Sequence, residues 1–202
     1  MAGVGTRTQR SLTYIYGALY NNVVKRAPFY PLNSIMTVGI AYANNGLANE
    51  FINDNLDDFS DMIWTYFGAG SNLQELYISH DRMKPEFWAV LAKAARWSNK
   101  NAKVLVDTHW IGGNPFNIEV YGFAAWTPGK GIITLRNPSA QDQTFKMNLQ
   151  KALELPPGFS GTFTLNPVYG NDPGSLYMDS HTDFDILFEA FETRIYEVTK
   201  NE

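Results

Sequence analysis

The hydrophobic pattern of this chain changes period part-way along. Leu12, Ile15, Tyr16, Leu19 and Val23 recur at helical spacing. Pro28 sets a limit to that helix, because proline disfavours helical backbone in the residue before it. Tyr30-Pro31-Leu32-Asn33-Ser34 reads as a turn. Ile35 to Ile40 is a compact apolar run, of the kind buried on both faces of a parallel sheet. A polar, Asn-rich connection follows. Phe59, Met62, Ile63, Tyr66 and Phe67 mark a second helix, stopped by Gly68 and Gly70. Leu73 to Ile78 is another strand. Pro85 suits the first position of a third helix and Glu86 its first turn, while Phe87, Leu91, Ala94 and Ala95 form its apolar face. Residues 12 to 104 therefore read helix, strand, helix, strand, helix, the order of βα units on a parallel sheet.

The segment Lys100 to Ser139 is a seam, and beyond it the period is two. Glu119 to Trp126 and Gly131 to Asn137 read as strands joined through Pro128-Gly129. Phe145, Met147 and Leu149 alternate with Lys146, Asn148 and Gln150, so one face is wet. Thr162 to Asn166 is a short strand, and the Pro/Gly/Asn-rich segment Asn166 to Ser175 reads as a long loop. Phe184, Ile186 and Phe188 alternate with Asp183 and Asp185, and Thr193 to Val198 closes the series. About six short strands separated by turn signals predict an antiparallel β-sandwich. The expected fold class is α/β followed by all-β, divided into residues 1–113 and 114–202. Two parallel-type strands make a poor sheet by themselves, and a complete βα barrel takes ~250 residues. The first unit thus reads as the last βα units of a TIM-type barrel.

Composition narrows the chemistry. Charged residues make 18% and hydrophobic residues 45% of the 202 positions, which supports a folded core and argues against disorder. The net charge of -4 and the lack of a basic tract argue against nucleic acid as a partner. No apolar run approaches the ~20 residues of a membrane span, and the first ten residues show no signal-peptide pattern. There is no cysteine, so disulfides and thiol catalysis are excluded. Phosphate-binding Gly-rich loops, serine nucleophile elbows and zinc spacings are absent, and no cofactor is expected.

The seam carries a family likeness. Leu76-Tyr-Ile-Ser-His-Asp-Arg-Met-Lys-Pro-Glu-Phe-Trp88, continuing to Lys103-Val-Leu-Val-Asp-Thr-His-Trp-Ile-Gly112, resembles the end of the barrel in melibiase-type α-galactosidases. Glu119-Val120-Tyr121, Lys130-Gly131 and Gly131 to Asn137 resemble the first strands of that family's C-terminal β-domain. Phe184-Asp-Ile186 and Ile195-Tyr-Glu-Val198 look like its last strands. The likeness runs from roughly Pro31 to the C-terminus. Where the family has Asn-Gln-Asp after the last helix, this chain has Asp107-Thr108-His109, which marks a divergent branch. The resemblance implies the C-terminal part of a retaining α-glycosidase acting on carbohydrate, in a periplasmic or secreted protein. In that clan both catalytic aspartates precede the matching region. No catalytic residue is therefore assigned here, and the chain alone is expected to be inactive. Its implied partners are carbohydrate and the upstream part of the barrel, or a second copy through uncovered edges. A stand-alone carbohydrate-binding or assembly module, with Trp110 and Trp126 stacking on sugar, is the alternative.

Six residues are candidates for substrate binding. The resemblance places Asn33, next to Ser34, in a loop beside the pocket; plain turn chemistry explains the pair equally. His80 and Asp81 follow a strand directly, a position that reads as functional in a barrel, or else they are merely a polar helix start. Asp107, His109 and Trp110 form the densest chemical cluster. An Asp two residues from a His suits orientation of an imidazole, whereas the plain alternative is packing between the two units. A third metal ligand is missing there, so no metal is assigned. Asp54, Asp57, Asp58 and Asp61 lack the glycine and terminal Glu of a calcium loop and read as a solvated helix face. Glu75 lies either inside the barrel or on its rim.

Overall fold

The computed structural model describes residues 5–27, 29–43, 55–171 and 174–201. Pro28, most of the Asn-rich connection and Asp54 lie outside them.

The helices start where local chemistry supplies caps. α1 (Arg7–Asn22) is capped by Thr6, whose hydroxyl accepts from the Gln9 N–H. α2 (Leu56–Gly68) is capped by Asn55, with Asp57 and Asp58 in the first turn. α3 (Pro85–Lys100) has proline at its first position, and a short α4 (Ala102–Leu105) follows it. Between them lie β1 (Ile40–Tyr42) and β2 (Leu76–Ile78), paired in parallel with Ile40 opposite Leu76 and Tyr42 opposite Ile78. β2 is shorter than the predicted run Leu73 to Ile78. β1 overlaps the predicted run Ile35 to Ile40 only at Ile40, continuing through Ala41 and Tyr42, because those are the residues that lie alongside Leu76–Ile78. Upstream of β1 the chain makes a 3-10 turn, Leu32–Ser34.

The remaining strands are antiparallel. β3 (His109–Gly112), β4 (Tyr121–Thr127), β5 (Lys130–Arg136), β10 (Thr193–Lys200), β7 (Thr162–Tyr169) and β8 (Leu176–Asp179) form one sheet in that spatial order. β6 (Gln143–Asn148) and β9 (Asp183–Phe188) form a separate pair. Two sequence expectations are corrected. Leu149 does not extend β6 but opens the one-turn helix α5 (Leu149–Ala152), because the Asn148 side chain caps it. Asn166 to Tyr169 is strand rather than loop. β10 is long enough to pair with it, and a register shift at Ile195/Tyr196 accommodates Pro167, which has no N–H to donate.

Period-two alternation splits the large sheet between two cores. On β5, Ile133 and Leu135 join Phe163, Leu165, Val198 and the inward residues of the β6–β9 pair. Ile132, with Ala125 and Ile195, instead joins Phe59, Ile63 and Phe67 of α2, Phe87 and Leu91 of α3, and Ile40 and Tyr42 of β1. Leu12 and Tyr16 of α1 cover Tyr121 and Phe123. The central strands of the sheet are thus buried on both faces, which explains the nearly unbroken burial of β4. Gly122 is required at the β4–β5 crossing, since a Cβ there would collide with the Thr134 carbonyl.

Candidate functional site

Each βα unit sends the chain up a strand and back along a helix, so the parallel pair has two ends with different residues. At the carboxyl end, β2 leads into the 3-10 turn His80–Arg82. The turn is anchored. The Met83 N–H donates to the His80 carbonyl at 3.2 Å, and the Arg82 guanidinium lies 5.9 Å over the Tyr42 ring. Tyr42 is itself wedged against Phe59 and Phe87. His80 and Asp81 are exposed on this fixed turn.

The other four candidates gather at the opposite end. Asn33 is 1% exposed, and its carbonyl accepts from the Asn72 N–H at 2.8 Å, just before β2 begins. Gly70, at φ +72°, lies against the end of α4. A Cβ on it would collide with Thr108 Oγ1 and sit 2.9 Å from the Leu105 carbonyl. Asp107, His109 and Trp110 line a cavity of about 340 Å³ here, with Tyr30, Leu32 and Glu154. The expected carboxylate–imidazole pairing is absent. His109 Nδ1 is 3.3 Å from the Asp107 backbone carbonyl, and Nε2 is 2.8 Å from the Ala152 carbonyl. Main-chain oxygens therefore set the ring. Trp110 stacks on Tyr121 at 5.4 Å and 8°, meets Phe123 edge-on and touches Tyr20. Its indole N–H donates to the Gly113 carbonyl at 3.2 Å. Trp126 is only 7% exposed, wedged between Phe159 and Phe163, so it is core and not a platform.

Glu75 has its N–H on the Tyr66 hydroxyl at 2.8 Å and accepts the Tyr77 phenol at 2.9 Å. Alternation puts Glu75, Tyr77 and Ala41 on the face of the parallel pair away from Ile40, Tyr42 and Ile78, which meet the helices.

The acidic run corrects the sequence reading. Asp57 is exposed, but Asp58 is 4% exposed and Asp61 also turns inward. For Asp61 the reason is a partner that lies far away in sequence: Arg136, fully buried at the end of β5. Its guanidinium donates to Thr193 Oγ1 at 2.6 Å, to Asp61 Oδ2 at 3.4 Å and to the Gln9 side chain. Gln9 donates in turn to Asp58, and the Tyr169 phenol donates to Asp61 Oδ1 at 2.8 Å. One network thus ties α1, α2, β5, β7 and β10. Burial raises the Asp61 carboxyl above the ordinary range, although Arg136 and the Tyr169 phenol pull it back. Burial, with the Asp61 charge beside it, raises the Tyr169 phenol strongly. The sequence signal for this network is an arginine on the helix-facing parity of an otherwise apolar strand. A second tie joins the Glu197 carboxylate to Lys130 at 2.7 Å, Trp97 Nε1 at 2.9 Å and Asn101 at 3.1 Å.

With this geometry in view, likeness to known proteins is confined to structure. No protein-family model matches the chain, and no curated protein matches it in sequence. Glycoside hydrolase structures do match in fold. A Bacillus halodurans C-125 protein assigned as an α-N-acetylgalactosaminidase superposes with TM-score 0.51 at 15% identity, over 70% of this chain and 31% of that one. An α-amylase from Geobacillus thermoleovorans, solved with acarbose, superposes with TM-score 0.52 at 12% identity, over 77% of this chain and 36% of that one. The chain spans about a third of the length of these relatives. It shares with them a mixed fold of helices and antiparallel sheet.

Proposed function

We propose that this chain is the C-terminal part of a retaining, α-galactosidase-like glycosidase. Residues 1–113 supply the last βα units of a TIM-type barrel, and residues 114–202 form an antiparallel β-sandwich, with β3 of the first unit added to the edge of the second unit's sheet. The observation that carries this reading is the parallel pair itself. It is a β–α–β–α sequence whose helix face is packed, whose other face leaves Tyr77 53% exposed, and whose amino-terminal end leaves Val38 at 62% and Leu76 at 49%. Parallel sheets occur almost only with both faces covered. Upstream strands of the same barrel are the natural cover; in isolation the same surface would self-associate. The fold likeness to about a third of two glycoside hydrolases supports the reading.

In a βα barrel the chemistry sits at the carboxyl ends of the strands. His80 and Asp81 therefore remain the proposed sugar contacts, the imidazole donating to and the carboxylate accepting from hydroxyls. Asn33, Asp107, His109 and Trp110 cluster at the other end and are proposed to seat the barrel on the β-sandwich. Retention needs two carboxyl groups ~5–5.5 Å apart, one as nucleophile and one as acid, both supplied upstream. The burial of Trp126 weighs against the free-standing sugar-binding alternative.

The test is the size of the native polypeptide, by blotting source cells with an antibody to this chain. A band much larger than 22.8 kDa is expected. In the purified long form, His80→Ala and Asp81→Ala should lower α-glycoside hydrolysis without moving the melting temperature. A band at 22.8 kDa would overturn the proposal.

A further inference from the structure

A second cavity lies away from both ends of the parallel pair. It opens at the seam where α2 and α3 meet β7 and the turn between β9 and β10, and encloses about 600 Å³. Unlike the apolar groove between α1 and β1, it is walled mostly by polar groups. Its floor is the Asp61 carboxylate, held by Arg136 and the Tyr169 phenol. The Tyr169 ring stacks on Trp64 at 5.2 Å and 17°, and the Lys93 ammonium sits 6.0 Å over the Trp64 ring. The exposed carboxylates of Asp57 and Glu189 stand at the mouth.

We propose that this seam cavity binds a neutral polyhydroxylated ligand, a sugar or a related polyol. Three features specify that class. First, acceptors and donors are mixed around one space: carboxylates accept several hydroxyls each, and the lysine donates. Second, the deepest carboxylate is fixed before any ligand arrives, because three elements hold it; a pre-organised wall loses little freedom on binding. Third, the charge balance selects against anions. Arg136 offsets Asp61, and Arg194 offsets Glu192 through contacts of 2.6 and 2.8 Å. Asp57 and Glu189 then outnumber Lys93 at the mouth. The site is separate from the proposed sugar contacts at His80 and Asp81, and does not depend on the chain being part of a hydrolase.

Saturation-transfer NMR on the 202-residue chain tests it, with glucose, galactose, N-acetylgalactosamine and glucuronate as probes. At least one neutral sugar should show transfer, and glucuronate none. Asp57→Ala with Glu189→Ala changes only exposed side chains, and should weaken neutral-sugar binding about ten-fold or more while the melting curve stays in place. His80→Ala should leave this binding intact. Absence of transfer from every neutral sugar overturns the proposal. So does equal transfer from glucuronate, or binding indifferent to the Asp57/Glu189 pair. Loss of binding in His80→Ala alone assigns the sugar to the strand-end site and overturns it too.

Discussion

Replacing Arg136 with methionine isolates the network that holds the helical layer to the sheet. The guanidinium is fully buried and meets Asp61, Thr193 and Gln9. Methionine fills much of the volume but leaves the Asp61 carboxylate without its cation. Removing one partner of a buried ion pair costs about 3–5 kcal/mol, a large share of the roughly 5–15 kcal/mol that holds a domain together. For a chain of this length that corresponds to a fall in Tm of roughly 6–20 °C. The sign of the pH dependence follows from Asp61. Its folded carboxyl is raised above the ordinary 3.8, so between that value and the raised one the native state holds more protons than the unfolded state. Stability from this group therefore falls as pH rises through that window. Losing Arg136 removes a positive charge that lowers the carboxyl, so the window widens upward. Urea unfolding followed by tryptophan fluorescence should show a larger loss for Arg136→Met at pH 8 than at pH 5. Adding Asp61→Asn should restore part of it, because the uncompensated charge is gone. A loss below about 1 kcal/mol, or one identical at both pH values, would refute an electrostatic role for the network.

Three further outcomes follow. Trp126→Ala should destabilise by about 3–5 kcal/mol with no selective effect on sugar binding, measured by urea titration beside a glycan-binding assay. Glu197→Gln should cost about 1–2 kcal/mol, since the carboxylate is a quarter exposed. Burial alone would raise that carboxyl, but the donors from Lys130, Trp97 and Asn101 outweigh it and hold it below the ordinary 4.5. Its contribution is therefore present above 4.5 and lost as pH falls through the lower folded value, and Glu197→Gln should flatten the acid limb of the stability curve. Gly122→Ala should prevent proper β4–β5 pairing, seen as loss of cooperative melting, because the added methyl meets the Thr134 carbonyl.

The sequence by itself determined the order and type of the three long helices and most strands, but not of the edge strands β3 and β8 or the short helices α4 and α5. Helical spacing from Leu12, Phe59 and Phe87, and alternation from Phe145 and Phe184, are properties of one segment at a time. Backbone geometry turns them directly into faces. Caps such as Thr6 and Asn55 are equally local. What tertiary structure decided was every feature that depends on residues distant in sequence. The strand expected over Ile35 to Ile40 instead spans Ile40–Tyr42, because the neighbour sets which residues pair. Asn166 to Tyr169 became strand because β10 was there to receive it. Asp61 turned inward because Arg136, contributed by a strand some 75 positions later, neutralises a charge that otherwise seeks water, and Asp58 because Gln9 of α1 donates to it. His80 and Asp81 were parted from Asn33, Asp107, His109 and Trp110 because a helix returns the chain to the opposite end of the strand it follows. Hydrophobic period records which side of an element is buried; only the assembled fold records which charges and strand ends meet.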